Sequence, residues 1–190
     1  MLDRSVFLDR DGTINEEVNY LSRPEQLRLL QGAAAAIRQI NEAGLKAVIT
    51  TNQAGVARGY FSEEKLQQIH LELQKMLGAQ EARLDAIYHC PHHPTHGQGP
   101  YKINCTCRKP KPGMLRRAAR ELKIDLSRSF VVGDKISDLE PGLIVGCRTI
   151  LVRTGYGREA EQMLNNCSFQ PDCIADTLLE ATRWILSLQC

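Results

Sequence analysis

The chain has 190 residues, 43% of them hydrophobic, which suits one domain, residues 1–190, with a real core. Lys and Arg number 24 against 22 Asp and Glu, a formal charge of +2, too balanced for a chain that binds nucleic acid or coats a membrane surface. No run approaches the about 18 continuous apolar residues of a membrane span. Charges at Asp3 and Arg4 come too early for a secretory signal, so the expected compartment is the cytoplasm. The expected partner is a small molecule, with no nucleic acid and no membrane, and a monomer is expected.

In chain order, Val6, Phe7 and Leu8 read as a short buried strand that runs into Asp9-Arg10-Asp11-Gly12-Thr13. Residues 24–30 connect to a helix over 33–43, stopped by Gly44. Residues 45–51 form a second strand. Ser62 then caps a helix with Glu63 and Glu64 in its first turn, and Leu66, Ile69, Leu73, Met76 and Leu77 make its core stripe. Residues 84–88 are a third strand candidate, 114–122 a basic helix, 130–132 a fourth strand and 149–152 a fifth. Ser137-Asp138-Leu139-Glu140 has capping-box spacing, weakened by Pro141 and Gly142. Asp176 is the expected cap of a last helix whose Leu178, Leu179, Trp184 and Ile185 pack on the sheet. Strands alternating with helices argue an α/β sandwich on a parallel sheet.

Polar residues gather at the predicted strand ends, where ligands bind in open parallel sheets. Asp9 and Asp11, two apart, can face one volume past the first strand. Two carboxylates that close want a cation or a shared proton, although an isolated Asp-x-Asp is more often a solvated turn. The second strand ends in Thr51-Asn52-Gln53 and a loop over 54–59, whose hydroxyl and N–H groups can hold phosphoryl oxygens. Arg108-Lys109-Pro110-Lys111-Pro112-Gly113 is a proline-stiffened loop that presents cations; alone it would be a solvated basic patch. A cation there could neutralise charge on a transferring phosphoryl group. The fourth strand runs into Gly133-Asp134-Lys135 with Asp138 beyond, and a further carboxylate beside Asp9 and Asp11 would complete an oxygen-rich site for Mg²⁺.

These motifs, in this order, resemble the haloacid dehalogenase superfamily from Phe7 to about Thr154. The resemblance implies a Rossmann-like parallel sheet sandwiched by helices and an aspartyl-phosphate mechanism. Asp9 would be the nucleophile and Asp11 the general acid/base. Thr51 and Lys109 would stabilise the phosphoryl group, and Mg²⁺ would bridge Asp9, the Asp11 carbonyl and Asp134. Between Asp11 and Thr51 there is room for little beyond one helix, so no large cap domain is expected.

Seven cysteines do not suggest a disulfide framework in a chain of this length and compartment; Cys147, Cys167, Cys173 and Cys190 lie scattered. Cys90-Pro91-His92-His93 and Cys105-Thr106-Cys107 instead suit a closed, tetrahedral Cys₃His site for Zn²⁺ in a loop over about 89–108. His92 is the first choice for the fourth ligand, with His93, His89 and His96 competing; the bland alternative is free surface cysteines. A closed site braces rather than catalyses, and Cys107 directly precedes Arg108 and Lys109.

Zinc-loop members of the superfamily resemble two groups, the heptose bisphosphate phosphatases and the histidinol-phosphate phosphatases. Residues 51–59, 108–114 and 133–135 look like the heptose group, which implies a small phosphorylated sugar as substrate. By that resemblance Arg108 contributes to recognition. Glu17, Val18, Asn19, Tyr20, Thr51, Asn52, Gln53, Ala54, Lys109 and Lys135 would contact the sugar bisphosphate. Ala54 stands where a serine is often found. A non-catalytic zinc-braced binding module is the competing reading, and it leaves the ordered Asp9, Thr51, Lys109 and Asp134 without a purpose.

Overall fold

A computed structural model describes residues 2–97 and 99–188; Cys190 lies outside them. Its strands are β1 (Ser5–Leu8), β2 (Lys46–Asn52), β3 (Ala86–Cys90), β4 (Phe130–Gly133), β5 (Arg148–Val152) and β6 (Cys173–Ala175). They pair in the order β3-β2-β1-β4-β5-β6, all parallel. Parallel neighbours need long crossovers. Helices α1 (Ala33–Glu42), α3 (Glu63–Gly78), α4 (Gly113–Leu122), α5 (Ile136–Val145) and α6 (Gly157–Met163) lie on those crossovers, and α7 (Leu178–Ser187) follows the last strand. A single turn, α2 (Ala54–Ala57), follows β2 directly. Among the described residues no helix is long and apolar enough to cross a membrane.

The alternation of side chains along β1 sorts the two layers. Val6 and Leu8 join Ile37 and Ile40 of α1, Ile69 and Leu73 of α3 and Ile185 of α7. Phe7 points the other way, into Met114, Leu115 and Ala118 of α4. On that second face Leu139 of α5 and Ala160 of α6 cover Leu151. Each such fully buried aliphatic contributes roughly 1.5–3 kcal/mol, so β1, covered on both faces, is held in the middle of the sheet.

The order of strands reverses between β1 and β4, the crevice where open α/β sheets bind ligands. The Asp9 N–H donates to Val132 O at 3.0 Å, which sets Asp9 beside the end of β4 and its next residue but one, Asp134.

Several elements differ from the sequence expectation. The third strand is 86–90, two residues later than the apolar run suggests. α5 begins at Ile136 with Lys135 as its cap, not at a Ser137 box, because the Asp138 carboxylate accepts the Lys135 N–H at 3.0 Å. Pro141 sits inside that helix, and Gly142 lets it lie against Val131 and Thr149 where a Cβ would press on both. Thr177, not Asp176, caps α7, its hydroxyl accepting the Glu180 N–H at 3.2 Å; Asp176 is engaged by Arg153. Ser62 does cap α3.

Candidate active site and metal centres

Asp9, Lys109, Asp134 and Asp138 converge at the carboxyl ends of β1 and β4. Lys109 Nζ, 5% exposed as a residue, donates to Asp9 Oδ1 at 2.8 Å and Thr50 O at 2.8 Å, and lies 2.6 Å from Asp138 Oδ1. One carboxylate oxygen from each of Asp9, Asp134 and Asp138 lies within 4.8 Å of the others. Asp134 is pinched between the backbones of Gly12 and Gly155, both at positive φ, where any Cβ would collide with its carboxylate. The Tyr156 N–H donates to Asp134 Oδ2 at 2.9 Å, while Oδ1 is buried without a partner.

Three buried carboxylates gather around the Lys109 ammonium, and the part-exposed Lys135 Nζ lies 3.7 Å from Asp134 Oδ2. Burial pushes Asp9 up to about 6, despite Lys109 beside it. Asp134 is pushed up to about 8, first by burial and then by Asp9 and Asp138. Burial works against the charge on Lys109, yet Asp138 and Asp9 hold its pKa above the usual lysine range. Uncompensated buried negative charge is costly. The all-oxygen donor set and the orphaned Asp134 oxygen fit a hard divalent cation such as Mg²⁺. The Asp11 side chain is not one of those three; it belongs to a separate hydrogen-bonded group with Arg10, Asn15 and Gln53. Burial opposes its ionisation, but the Arg10 guanidinium holds it below the usual carboxylate range.

A cleft of about 360 Å³ has Asp11 in its wall, whereas Asp9, Asp134 and Asp138 are buried and do not line it. Of the residues expected to meet substrate, Asp11, Glu17, Asn19, Tyr20, Asn52, Gln53, Ala54, Arg108 and Lys135 line it. Val18 does not, and it is exposed to solvent. Thr51 and Lys109 are buried and do not line the cleft. The Thr51 hydroxyl accepts from Gln53 Nε2 at 2.9 Å. Lys135 Nζ pairs with Glu17 at 3.2 Å and lies over the Tyr156 ring, 4.6 Å from its centroid. Asn19 and Tyr20 both take positive φ, which turns residues 17–20 back across the cleft. Tyr156 and Ser137 also line it, and no motif in the sequence marks either as a substrate contact.

Asn52 makes a reciprocal pair with the Lys109 main chain: its amide donates to Lys109 O at 3.1 Å and its carbonyl accepts the Lys109 N–H at 3.0 Å. The end of β2 therefore fixes the height of the lysine.

The second cluster joins Cys90, His92, Cys105 and Cys107, whose ligand atoms all lie within 4.8 Å of one another. The sulfur atoms stand 3.2–3.5 Å apart, and His92 Nδ1 lies 3.4 Å from Cys107 Sγ. That is close to the edge of about 3.8 Å that tetrahedral thiolate ligands at ~2.3 Å would span. Among the described residues the other candidate histidines are engaged elsewhere: His89 with Glu63 at 3.3 Å, His93 with His96 at 3.2 Å. Main-chain bonds carry this cluster to the lysine loop. Gly113 N donates to Thr106 O at 3.1 Å and Lys111 N to Arg108 O at 2.9 Å, while Arg108 NH1 donates to His92 O at 3.1 Å.

Two family models match the chain: polynucleotide kinase 3 phosphatase over residues 6–141 and HAD-hydrolase-like over residues 106–181. The D-glycero-beta-D-manno-heptose-1,7-bisphosphate 7-phosphatase of Haemophilus influenzae is 44% identical over 155 residues, 81% of this chain and 84% of that one. The D-glycero-D-manno-heptose-1,7-bisphosphate 7-phosphatase of Thermosynechococcus vestitus is 43% identical over 185 residues, 95% of this chain and 94% of that one. Among solved structures, D,D-heptose 1,7-bisphosphate phosphatase from B. bronchiseptica, complexed with magnesium and phosphate, superposes with a TM-score of 0.87. It is 33% identical, and the match covers 97% of this chain and 99% of that one.

Proposed function

This chain belongs to the D-glycero-D-manno-heptose-1,7-bisphosphate 7-phosphatase family of HAD-like hydrolases, and from that premise we propose that it removes the 7-phosphate of a D-glycero-D-manno-heptose 1,7-bisphosphate through a phosphorylated Asp9. The observation that carries the reading is the buried Lys109 ammonium, which bridges Asp9 and Asp138 beside the half-satisfied Asp134.

The Asp9 carboxylate attacks phosphorus, and the bond from phosphorus to the sugar oxygen breaks. Asp11, on which the negative charge of the incoming phosphate favours a proton against the pull of Arg10, gives that oxygen its proton. A water then attacks the phosphorylated Asp9, Asp11 takes the proton back, and the bond to Asp9 breaks to release phosphate. Lys109 and Thr51 hold the phosphoryl oxygens throughout. Asp9, Asp134 and the Asp11 carbonyl would hold Mg²⁺ next to Asp138, and bound there it offsets repulsion between carboxylate and phosphate. Arg108 and Lys135 line the cleft and supply cationic groups for the sugar and its second phosphate. Cys90, His92, Cys105 and Cys107 would hold a structural Zn²⁺ that braces the lysine loop. We read residues 1–190 as one phosphatase domain acting in the cytoplasm as a monomer, with no nucleic-acid or membrane partner.

Phosphate release measured with Mg²⁺ should give a higher kcat/KM for the heptose bisphosphate anomers than for histidinol phosphate, and Asp9→Asn should abolish it with the fold intact. A preference for histidinol phosphate overturns the substrate. Full activity of Asp9→Asn overturns the mechanism, and a wild type that releases no phosphate from any substrate points to a binding module.

A further inference from the structure

Arg10 stands between the two carboxylates of the first loop, yet its side chain is 0% exposed. A buried guanidinium needs a strong reason, because desolvation costs several kcal/mol. Here most of its hydrogen bonds go to a single carboxylate. Nε donates to Asp11 Oδ1 at 3.1 Å, and NH2 donates to Oδ1 at 3.0 Å and Oδ2 at 2.8 Å. NH2 also reaches Gln53 Oε1 at 3.1 Å, while NH1 is buried with no partner.

Two amides complete the grip. Asn15 Nδ2 donates to Asp11 Oδ1 at 2.9 Å, and Gln53 Nε2 donates to Asp11 Oδ2 at 2.9 Å and to Thr51 Oγ1 at 2.9 Å. Both carboxylate oxygens are held from the protein side, and the Asp11 side chain keeps 17% of its surface open, on the cleft. We propose that Arg10 is a positioning residue for proton transfer, its planar fork fixing the Asp11 carboxylate at one angle to the phosphoryl site. Gln53 links that carboxylate to Thr51, so the proton-transfer group and a phosphoryl-holding group are set in one frame. The role rests on the phosphatase reading above.

The chemistry separates positioning from mere packing. An alkyl leaving group must receive a proton as its bond to phosphorus breaks, so Asp11 is needed in both steps. 4-Nitrophenyl phosphate loses its aryl oxide as an anion, so Asp11 is needed only when water attacks the phosphorylated Asp9. A loosely held Asp11 therefore slows both steps for the sugar but only the second for the aryl ester. Arg10→Met should lower kcat for heptose bisphosphate on the order of 10²-fold, the cost of a misplaced group, without raising KM. With 4-nitrophenyl phosphate the same variant should release nitrophenolate in a burst stoichiometric with enzyme, then turn over slowly. Arg10→Lys keeps the charge but not the fork and should behave like Arg10→Met.

Melting curves accompany the kinetics. If both Arg10 variants fail to fold, Asn15→Ala, which removes one bond to the same oxygen, must show the same burst in milder form. Equal losses on both substrates with no burst, a change in KM alone, unchanged rates or full rescue by lysine each overturn the proposal. A wild type inactive on every phosphate ester overturns the phosphatase reading, and the role of Arg10 falls with it.

Discussion

Lys109→Met keeps the length of the side chain and removes its charge, which makes it a sharp probe of the buried cluster. The ammonium has three close partners, Asp9 and Thr50 O at 2.8 Å and Asp138 at 2.6 Å, in a site almost closed to water. Without it Asp9, Asp134 and Asp138 face one another with only the part-exposed Lys135, 3.7 Å from Asp134, to offset their charge. Breaking a buried pair by removing one partner costs roughly 3–5 kcal/mol. For a chain of this size each kcal/mol moves the midpoint by about 2–4 °C, so the melting temperature in metal-free buffer should fall by roughly 6–20 °C. Adding Asp138→Asn to Lys109→Met removes one of the stranded charges and should recover about 0.5–3 kcal/mol, the size of coupling expected for groups in contact. Calorimetry on the four members of the cycle measures both quantities. Phosphate release should fall by at least about 10²-fold, as when one donor to a developing oxyanion is lost. A Lys109→Met protein that melts with the wild type, and gains nothing from Asp138→Asn, would refute the electrostatic account of the cluster.

Two further outcomes follow from the surroundings of this site. Stripping metal from the Cys90, His92, Cys105 and Cys107 cluster with a chelator, then restoring Mg²⁺ alone, should lower kcat/KM while far-UV dichroism keeps the signature of the sheet. Unaltered activity at zero zinc content would show that the loop holds Lys109 unaided. Folding stability should also track His70, whose buried ring is pushed down to about 3, first by burial and then by Arg10 and His89. The unfolded chain takes up a proton near pH 6.5 and the folded one does not, so this contribution is intact above pH 6.5. It is lost at about 1.4 kcal/mol per pH unit as pH falls toward 3. Denaturant titrations of wild type and His70→Leu at pH 7 and pH 5 should differ by that slope, and parallel behaviour would contradict it.

The polar strand ends are legible in the sequence because each follows a short apolar run, and Asp9, Thr51 and Asp134 all fall at or just past such an end. Parallel topology then brings them together. The partners of these groups are not legible, because they come from distant parts of the chain. Asn52 meets Lys109 across 57 residues and Asp138 meets Lys109 through a turn of α5, and neither leaves a local pattern. The hydrogen-bonded grip on Asp11 is equally silent, since Arg10 in isolation reads as a surface cation. β6 escapes notice because three residues carry no periodicity. α6 escapes because Gly157–Met163 opens on glycine and is mostly polar. The caps of α5 and α7 lie one or two residues from where the spacing puts them, because Asp138 bonds the Lys135 N–H and Asp176 bonds Arg153.

The sheet order divides the machinery by how readily its parts can come undone. β1 and β4, which carry Asp9 and lead to Asp134, are the two innermost strands, whereas Cys90 ends an outer strand and Lys109 arrives on a loop. Opening in folded proteins starts where packing is thinnest, at rims and connections. Fraying at the β3 rim would thus strip away the lysine and the thiol cluster first and leave the paired aspartates at the centre still able to grip a cation. Such a half-opened molecule would keep the cation of the carboxylates and hydrolyse nothing.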